Sequence, residues 1–331
     1  MATPSQELQP PEIIMLYRSF ATAILSIICT AIGPCKKPIN GDFSVVIQTS
    51  HATATIACQT TTQEHTIYSA VKRSIYQLNK IRDNKKKSLT KDVMEFRIAH
   101  LYAHFLNIYG DRGNIITLSQ RAKWRDVEVK VDAIDIGQEA DPDYYDFYFI
   151  GGGQDKQQIV IAEDLVKRAT ALKTAVSGGA VVLTVCGGYQ LLGHYYRPHE
   201  GPELKGISLL DAYTVAGNRR MIGNVVIKRD DNSTLVGFEN HSGKTYLGKD
   251  VQPLGKIVVG NGNNGEDKSE GACQGTVYGT YLHGSLLPKN PAFADLLLSQ
   301  ALQRRYGAVQ LKPLDDSLET EAHKRALVLP A

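Results

Sequence analysis

Residues 180–192 read AVVLTVCGGYQLL. Ala180 to Val185 is a short, β-branched apolar run, the pattern of a strand buried on both faces. Cys186 and Gly187-Gly188 follow, and then an apolar stretch that begins a helix. A cysteine at that corner sits at the positive end of a helix dipole, which favours the thiolate. The two glycines let the backbone turn sharply and expose an amide to an oxyanion. An inert core cysteine would need no such turn. The stretch therefore reads as the central strand of an α/β sheet with a nucleophile at its end.

Working outward, strand and helix patterns alternate. Phe96 to Leu101 is an apolar strand, followed by the loop YAHFLNIYGDRGN (Tyr102 to Asn114). Ile115, Leu118 and Ala122 recur at helical spacing and predict a helix to Arg125, with Asn114 as its cap. Val127 to Ile134 alternates as a strand does, and Asp143 to Ile150 is a tyrosine-rich strand ending in Gly151-Gly152-Gly153. Asp155 to Val176 is an amphipathic helix. This order predicts a parallel, doubly wound α/β sheet with ligands at the carboxyl ends of its strands. Both the triple glycine and Cys186 fall at such ends. GGGQDK lacks the G-x-G-x-x-G spacing of a dinucleotide fingerprint.

Beyond Leu192, strand-like pieces at Met221 to Lys228, Leu235 to Phe238, Lys256 to Gly260 and Gly275 to Tyr281 are separated by Gly and Asn. The last runs into Leu282-His283-Gly284, and a helix follows from about Pro291 to Arg304. A histidine just past an apolar strand is a candidate base, and only the fold could bring it to Cys186.

The 331 residues, 43% of them hydrophobic, are enough for a sizeable core. Residues 1–93 carry 11 Lys and Arg against 6 Asp and Glu, so the overall charge of +3 does not describe the rest. Residues 94–331 show no basic stripe with interleaved aromatics, which argues against a nucleic-acid partner. The five cysteines, at 29, 35, 58, 186 and 273, show no metal-like pairing and point to a reducing compartment.

Residues 1–93 have another character. A polar tail precedes the apolar run Phe20 to Ile32, which looks like a short signal-peptide core and is too short to span a bilayer comfortably. A Thr/Ser/Gln-rich piece and a basic segment, Lys80 to Lys91, follow. The readings are a secretion signal, a regulatory extension, or translation begun upstream of the true start. Met94 opens directly into a strand and is expected to be that start, leaving 1–93 as a disordered or non-native extension, 94–310 as the domain and 311–331 as a tail.

Six segments together resemble class I glutamine amidotransferases, in the cobyric-acid-synthase-like branch that includes the glutaminase subunits of lipid II isoglutaminyl synthases. They are FIGGGQDKQQ (149–158), TVCGGYQLLGHYY (184–196), NRRMIGN (218–224), VGFENHSGKTYLG (236–248), GNGNNGEDKSEG (260–271) and GTYLHGSLLPKN (279–290). The resemblance implies a flavodoxin-like, mostly parallel sheet. It implies that Cys186 attacks the carboxamide of L-glutamine and His283 moves the proton. Gly187 and the Gly152-Gly153 turn are the implied oxyanion donors. Arg220 matches the family's substrate-binding arginine, with Arg219 as the adjacent alternative. Glu239 and His241, in the ENHSG segment, either shape the pocket or form a structural turn.

The sequence departs from the family in one place. Many class I amidotransferases carry His-x-Glu, but two residues past His283 stands Ser285. The resemblance implies that the missing acid comes from a MurT-like partner of Mur-ligase fold in a heterodimer, so that the free subunit is sluggish. No P-loop is present. Cofactors in this chain are therefore expected to be none and metals none, with ATP and Mg²⁺ used by the partner to activate lipid II. The expected location is cytoplasmic, reaching the inner membrane surface through lipid II. If Met94 is the start, intact-mass measurement of the native protein gives a value well below 36.3 kDa, and a mass at that figure would contradict it.

Overall fold

Four apolar strands and their first neighbour decide the architecture. In the computed structural model, which describes residues 46–48, 53–55 and 93–329 except 109, Glu95–Leu101 (β3), Glu128–Ile134 (β4), Phe147–Ile150 (β5), Val181–Val185 (β6) and Val277–Thr280 (β14) run parallel. Their order across the sheet is β14-β6-β5-β3-β4, with Ala272–Gln274 (β13) added antiparallel beyond β14. Counted along the chain this is the 2-1-3-4-5 order of the flavodoxin-like doubly wound fold. β5, β6 and β14 are buried at every residue, which is why FYFI, VVLTV and VYGT carry almost no polar side chains.

The helices are Arg112–Lys123 (α1), Asp155–Ser177 (α2), Gly187–Leu192 (α3) and Pro291–Tyr306 (α4). α1 packs on α4, and α2 on α3. α2 starts with a reciprocal cap between Gln154 and Gln157, and α4 starts with Pro at its first turn and ends at Gly307, φ +71°. Asn114 is not a cap: it lies inside α1, buried, with its Oδ1 accepting the Leu287 amide at 2.9 Å. No helix of the described residues is long and apolar enough to cross a membrane.

A second sheet replaces the short pieces expected after Leu192. Ala212–Lys228 (β9) and Thr234–Leu247 (β10) form a long antiparallel ribbon, joined by Tyr195–Arg197 (β7), Leu204–Lys205 (β8), Gly255–Val259 (β11) and Ser269–Glu270 (β12). Gly217 and Asn218, which look like a strand end, lie in its large irregularity. His241 pairs with Met221 and Gly243 with Ala216, so Gly217 to Arg220 bulge opposite the single Ser242.

The tail contains a helix, Ser317–Leu327 (α5), and His323 bonds Thr234 Oγ1 and the Lys289 carbonyl at 2.8 Å each. The Arg121 side chain, 2% exposed, forks onto Asp295 at 2.7 Å and Asp316 at 2.6 Å, tying α1, α4 and the tail together. Within residues 1–92 the chain forms a separate unit, in which Val46–Gln48 (β1) and Thr53–Thr55 (β2) pair antiparallel. The disorder expected of 1–93 otherwise concerns residues outside those described.

Removing one partner of a buried ion pair leaves the other charges uncompensated. Arg121→Ala should cost roughly 3–5 kcal/mol by urea denaturation and make residues beyond 311 sensitive to protease. A loss below about 1 kcal/mol, the range of exposed pairs, would show that the cluster is effectively solvated.

Candidate active site

The carboxyl ends of β3, β5, β6 and β14 contribute one element each. Cys186 follows β6 and precedes α3 with φ +50° and ψ −107°, a conformation rare for any residue but glycine. Such strain persists only where neighbours impose it. Here the Cys186 amide donates to the Thr280 carbonyl at 2.8 Å, and its carbonyl accepts the Gln190 amide at 2.9 Å. The side chain is nearly buried, at 6%.

His283 follows β14 and is fully buried. Its backbone is fixed by a two-bond bridge to Phe238 of β10, the His283 amide donating at 2.7 Å and the Phe238 amide at 3.3 Å. The imidazole lies close enough to the Cys186 side chain to be influenced by it, and its Nδ1 lies 3.3 Å from Asp111 Oδ1. Burial is the largest influence on this ring and by itself favours the neutral form. The neighbouring Cys186 side chain and the Asp111 carboxylate outweigh it and push the pKa up to about 10.

Asp111 is an acid of this chain beside His283 that was not among the expected site residues. It lies in the loop after β3, 172 positions before the histidine, and is fully buried. No local spacing links the two residues, so only the sheet brings them together. The one signal in the sequence was the loop's place at a strand's carboxyl end.

The glycine turn after β5 also differs from expectation. The Gly152 amide donates to Asp111 Oδ2 at 2.7 Å and is thereby engaged, so it does not face an oxyanion. A Cβ at Gly152 would come within 2.7 Å of His283 Cε1, so the imidazole rests directly on this turn. Gly153 packs against Leu106. The Gly187 amide opens α3, where first-turn amides have no intrahelical acceptor, and a side chain there would overlap Gln158.

Glu239 and His241 flank the same place from β10. Glu239 is buried, with Oε1 accepting the Asn261 amide (2.7 Å) and side chain (2.6 Å), and Oε2 accepting the Gly262 amide at 2.8 Å. Burial acts most strongly to raise its pKa, but the bonds from His241, Asn261 and Gly262 hold it low. The His241 ring stacks flat on Tyr281 at 3.5 Å, and burial keeps its pKa low despite Glu239 at 3.7 Å. Arg219 and Arg220 lie exposed in the bulge of β9, where Arg220 Nε donates to Asn240 Oδ1 at 2.6 Å.

Sequence reasoning missed a chain of buried polar groups behind Gly187. Gln158 donates to Gln190 at 2.7 Å, Gln190 to Tyr281 Oη at 3.1 Å, and Tyr281 Oη meets Thr245 Oγ1 at 2.7 Å. Glu270 was missed as well. It accepts from Thr280 Oγ1 (2.6 Å) and the Tyr281 amide (2.8 Å), and burial pushes its pKa up to about 7. The Gln residues stood in the quoted motifs, but nothing in their spacing distinguished them from ordinary helix residues.

Comparison with known proteins places this geometry among relatives. The CobB/CobQ-like glutamine amidotransferase domain matches residues 97–291. The chain is 44% identical over 234 residues to the lipid II isoglutaminyl synthase (glutamine-hydrolyzing) subunit GatD of Staphylococcus aureus, covering 71% of this chain and 95% of that one. The subunit of the same name from Streptococcus pneumoniae is 40% identical over 69% of this chain and 88% of its own. A cobyric acid synthase of Limosilactobacillus reuteri is 35% identical over 162 residues, 47% of this chain but 32% of that protein.

The His283 pKa is raised above the ordinary 6.5, so its contribution to stability is complete below pH 6.5 and is lost as the pH climbs through about 10. Histidine-selective NMR should show the imidazolium persisting well above neutrality, and Cys186→Ala should bring the transition down. A midpoint near 6.5 in the unaltered protein would contradict the ion pair.

Proposed function

The chain belongs to the CobB/CobQ-like glutamine amidotransferase family, and from that premise we propose that it is the glutaminase subunit of a lipid II isoglutaminyl synthase. The observation that carries the chemistry is the strained Cys186, fastened through its amide to the strand whose end delivers the buried His283. The Cys186 sulfur attacks the side-chain carboxamide carbon of L-glutamine. The developing oxyanion is received at the Gly187 amide, and the His283 imidazolium gives its proton to the departing ammonia. A γ-glutamyl thioester is left on Cys186. The neutral imidazole then takes a proton from water as it attacks, and glutamate leaves with the thiolate restored.

The near-complete match to GatD subunits supports lipid II as the destination of the ammonia. The partner is a Mur-ligase-fold subunit of the MurT type, and the two form a heterodimer at the cytoplasmic face of the membrane. ATP and Mg²⁺ act there, activating the α-carboxyl of D-glutamate in the stem peptide, which the ammonia converts to D-isoglutamine. This chain needs no cofactor of its own. Arg220, exposed in the bulge of β9, binds the glutamine α-carboxylate through its guanidinium fork.

Cys186→Ala and His283→Ala should each abolish ammonia release from glutamine while leaving partner binding intact. With the partner, ATP and lipid II, either variant should still support amidation when ammonium chloride replaces glutamine. Undiminished glutamine hydrolysis in either variant would overturn the reading. Glutamine hydrolysis without any lipid II amidation by the complex would point instead to another synthase.

A further inference from the structure

We infer that Glu270 is a positioning residue for both Cys186 and His283, acting through Thr280, Tyr281 and Leu282, the residues that join the Cys186 corner to the histidine. The inference rests on the glutaminase reading and concerns what keeps nucleophile and base in register.

The segment GNGNNGEDKSEG (260–271) takes no part in the chemistry above, yet it brings a buried acid against the end of β14. Glu270 closes β12 and is fully buried. Its Oε1 accepts from Thr280 Oγ1 at 2.6 Å and from the Tyr281 amide at 2.8 Å. Thr280 Oγ1 in turn accepts the Leu282 amide at 3.0 Å, and the Thr280 carbonyl accepts the Cys186 amide at 2.8 Å. One carboxyl oxygen therefore fixes three successive residues. The first of them holds the backbone of the nucleophile, and the last precedes the base.

A simple packing role does not account for this group. Among the described residues Glu270 makes no ion pair, and the charged side chain that acts on it, Glu239, has the same sign. Its Oε2 is buried with no hydrogen-bond partner. A carboxyl so placed costs stability, and an apolar side chain would fill the space at lower cost. Burial pushes its pKa up to about 7, so the neutral acid is populated near neutral pH. What the site draws on is the acceptor Oε1, which the neutral acid also provides.

The carboxyl is itself held in place. Asn263 brackets the next residue, its Oδ1 accepting the Gly271 amide and its Nδ2 donating to the Gly271 carbonyl, both at 2.9 Å. Tyr189, of the Cys-Gly-Gly-Tyr corner, donates its hydroxyl to the same Asn263 Oδ1 at 3.2 Å. Gly271, φ +63°, runs so close to β14 that a Cβ there would sit 2.6 Å from the Gly279 carbonyl. The loop is thus tied to the helix that begins at the nucleophile and to the strand that leads to the base, and Glu270 stands between them.

The test uses the full chain with its partner and measures kcat and KM for glutamine hydrolysis in E270A, E270Q, T280V and E270A/T280V. Urea unfolding establishes that each variant is folded, and the rate at which iodoacetamide alkylates Cys186, followed on its peptide by mass spectrometry, gives a second readout. E270A should lose about 30-fold in kcat with KM within about threefold, and its Cys186 should alkylate more slowly. E270Q, which keeps the acceptor oxygen, should stay within about threefold of the unaltered chain. T280V should fall about tenfold, and the double variant no further than E270A, because both changes act along one path. Unchanged kcat in folded E270A overturns the inference. So does E270Q as slow as E270A, or a double variant whose losses multiply. Should E270A not fold, T280V carries the test, and unchanged kcat there overturns it. Failure of the glutaminase reading looks different: the unaltered chain and its partner release no ammonia from glutamine, and the inference falls with it.

Discussion

β6 and β14 pair in parallel, and the site depends on that pairing. Val185 stands opposite Thr280, and the ladder is extended by one bond from the Cys186 amide to the Thr280 carbonyl. The sulfur-bearing corner is thus fastened to the strand that three residues later delivers His283. β5 and β3 on the other side add the Gly152 turn and the Asp111 loop, at the place where the strand order reverses and ligands gather in such sheets. Four segments far apart in sequence meet because parallel strands end on one side.

The second sheet acts as a brace for the histidine. Phe238 of β10 bonds the His283 backbone in both directions, while His241, three residues further along, lays its ring on Tyr281. Tyr281 is in turn held through its amide by Glu270 and through its hydroxyl by Gln190 and Thr245. A buried polar network of this kind costs desolvation and repays it only when its geometry is kept. The residues just before the histidine are therefore fixed from both the backbone and the ring side.

Much of this could be read from the residues. FYFI and VVLTV could hardly be anything but buried parallel strands, and a cysteine followed by two glycines at a strand end carries its own mechanical explanation. His283 was legible only as a histidine after a strand. Asp111 was not, because an aspartate in a glycine-containing loop looks like a turn residue until the fold gives it a neighbour. The β9/β10 ribbon was hidden for the opposite reason. Gly and Asn signal a break locally, yet here Gly217 and Asn218 fall in one bulge while Gly223, Gly237 and Asn240 pair within the ladder. Asn114 was misjudged because its partner, Leu287, is set by tertiary packing.

Gly152 is held on two sides at once. Its amide belongs to Asp111, and the space above its α-carbon belongs to the edge of the His283 ring. In the history of such a protein this codon is a trap: every neighbouring amino acid adds at least a methyl group, and that methyl would part acid from imidazole in a single step. The walls of the pocket are open to drift and specialisation, whereas its floor can be inherited only unchanged.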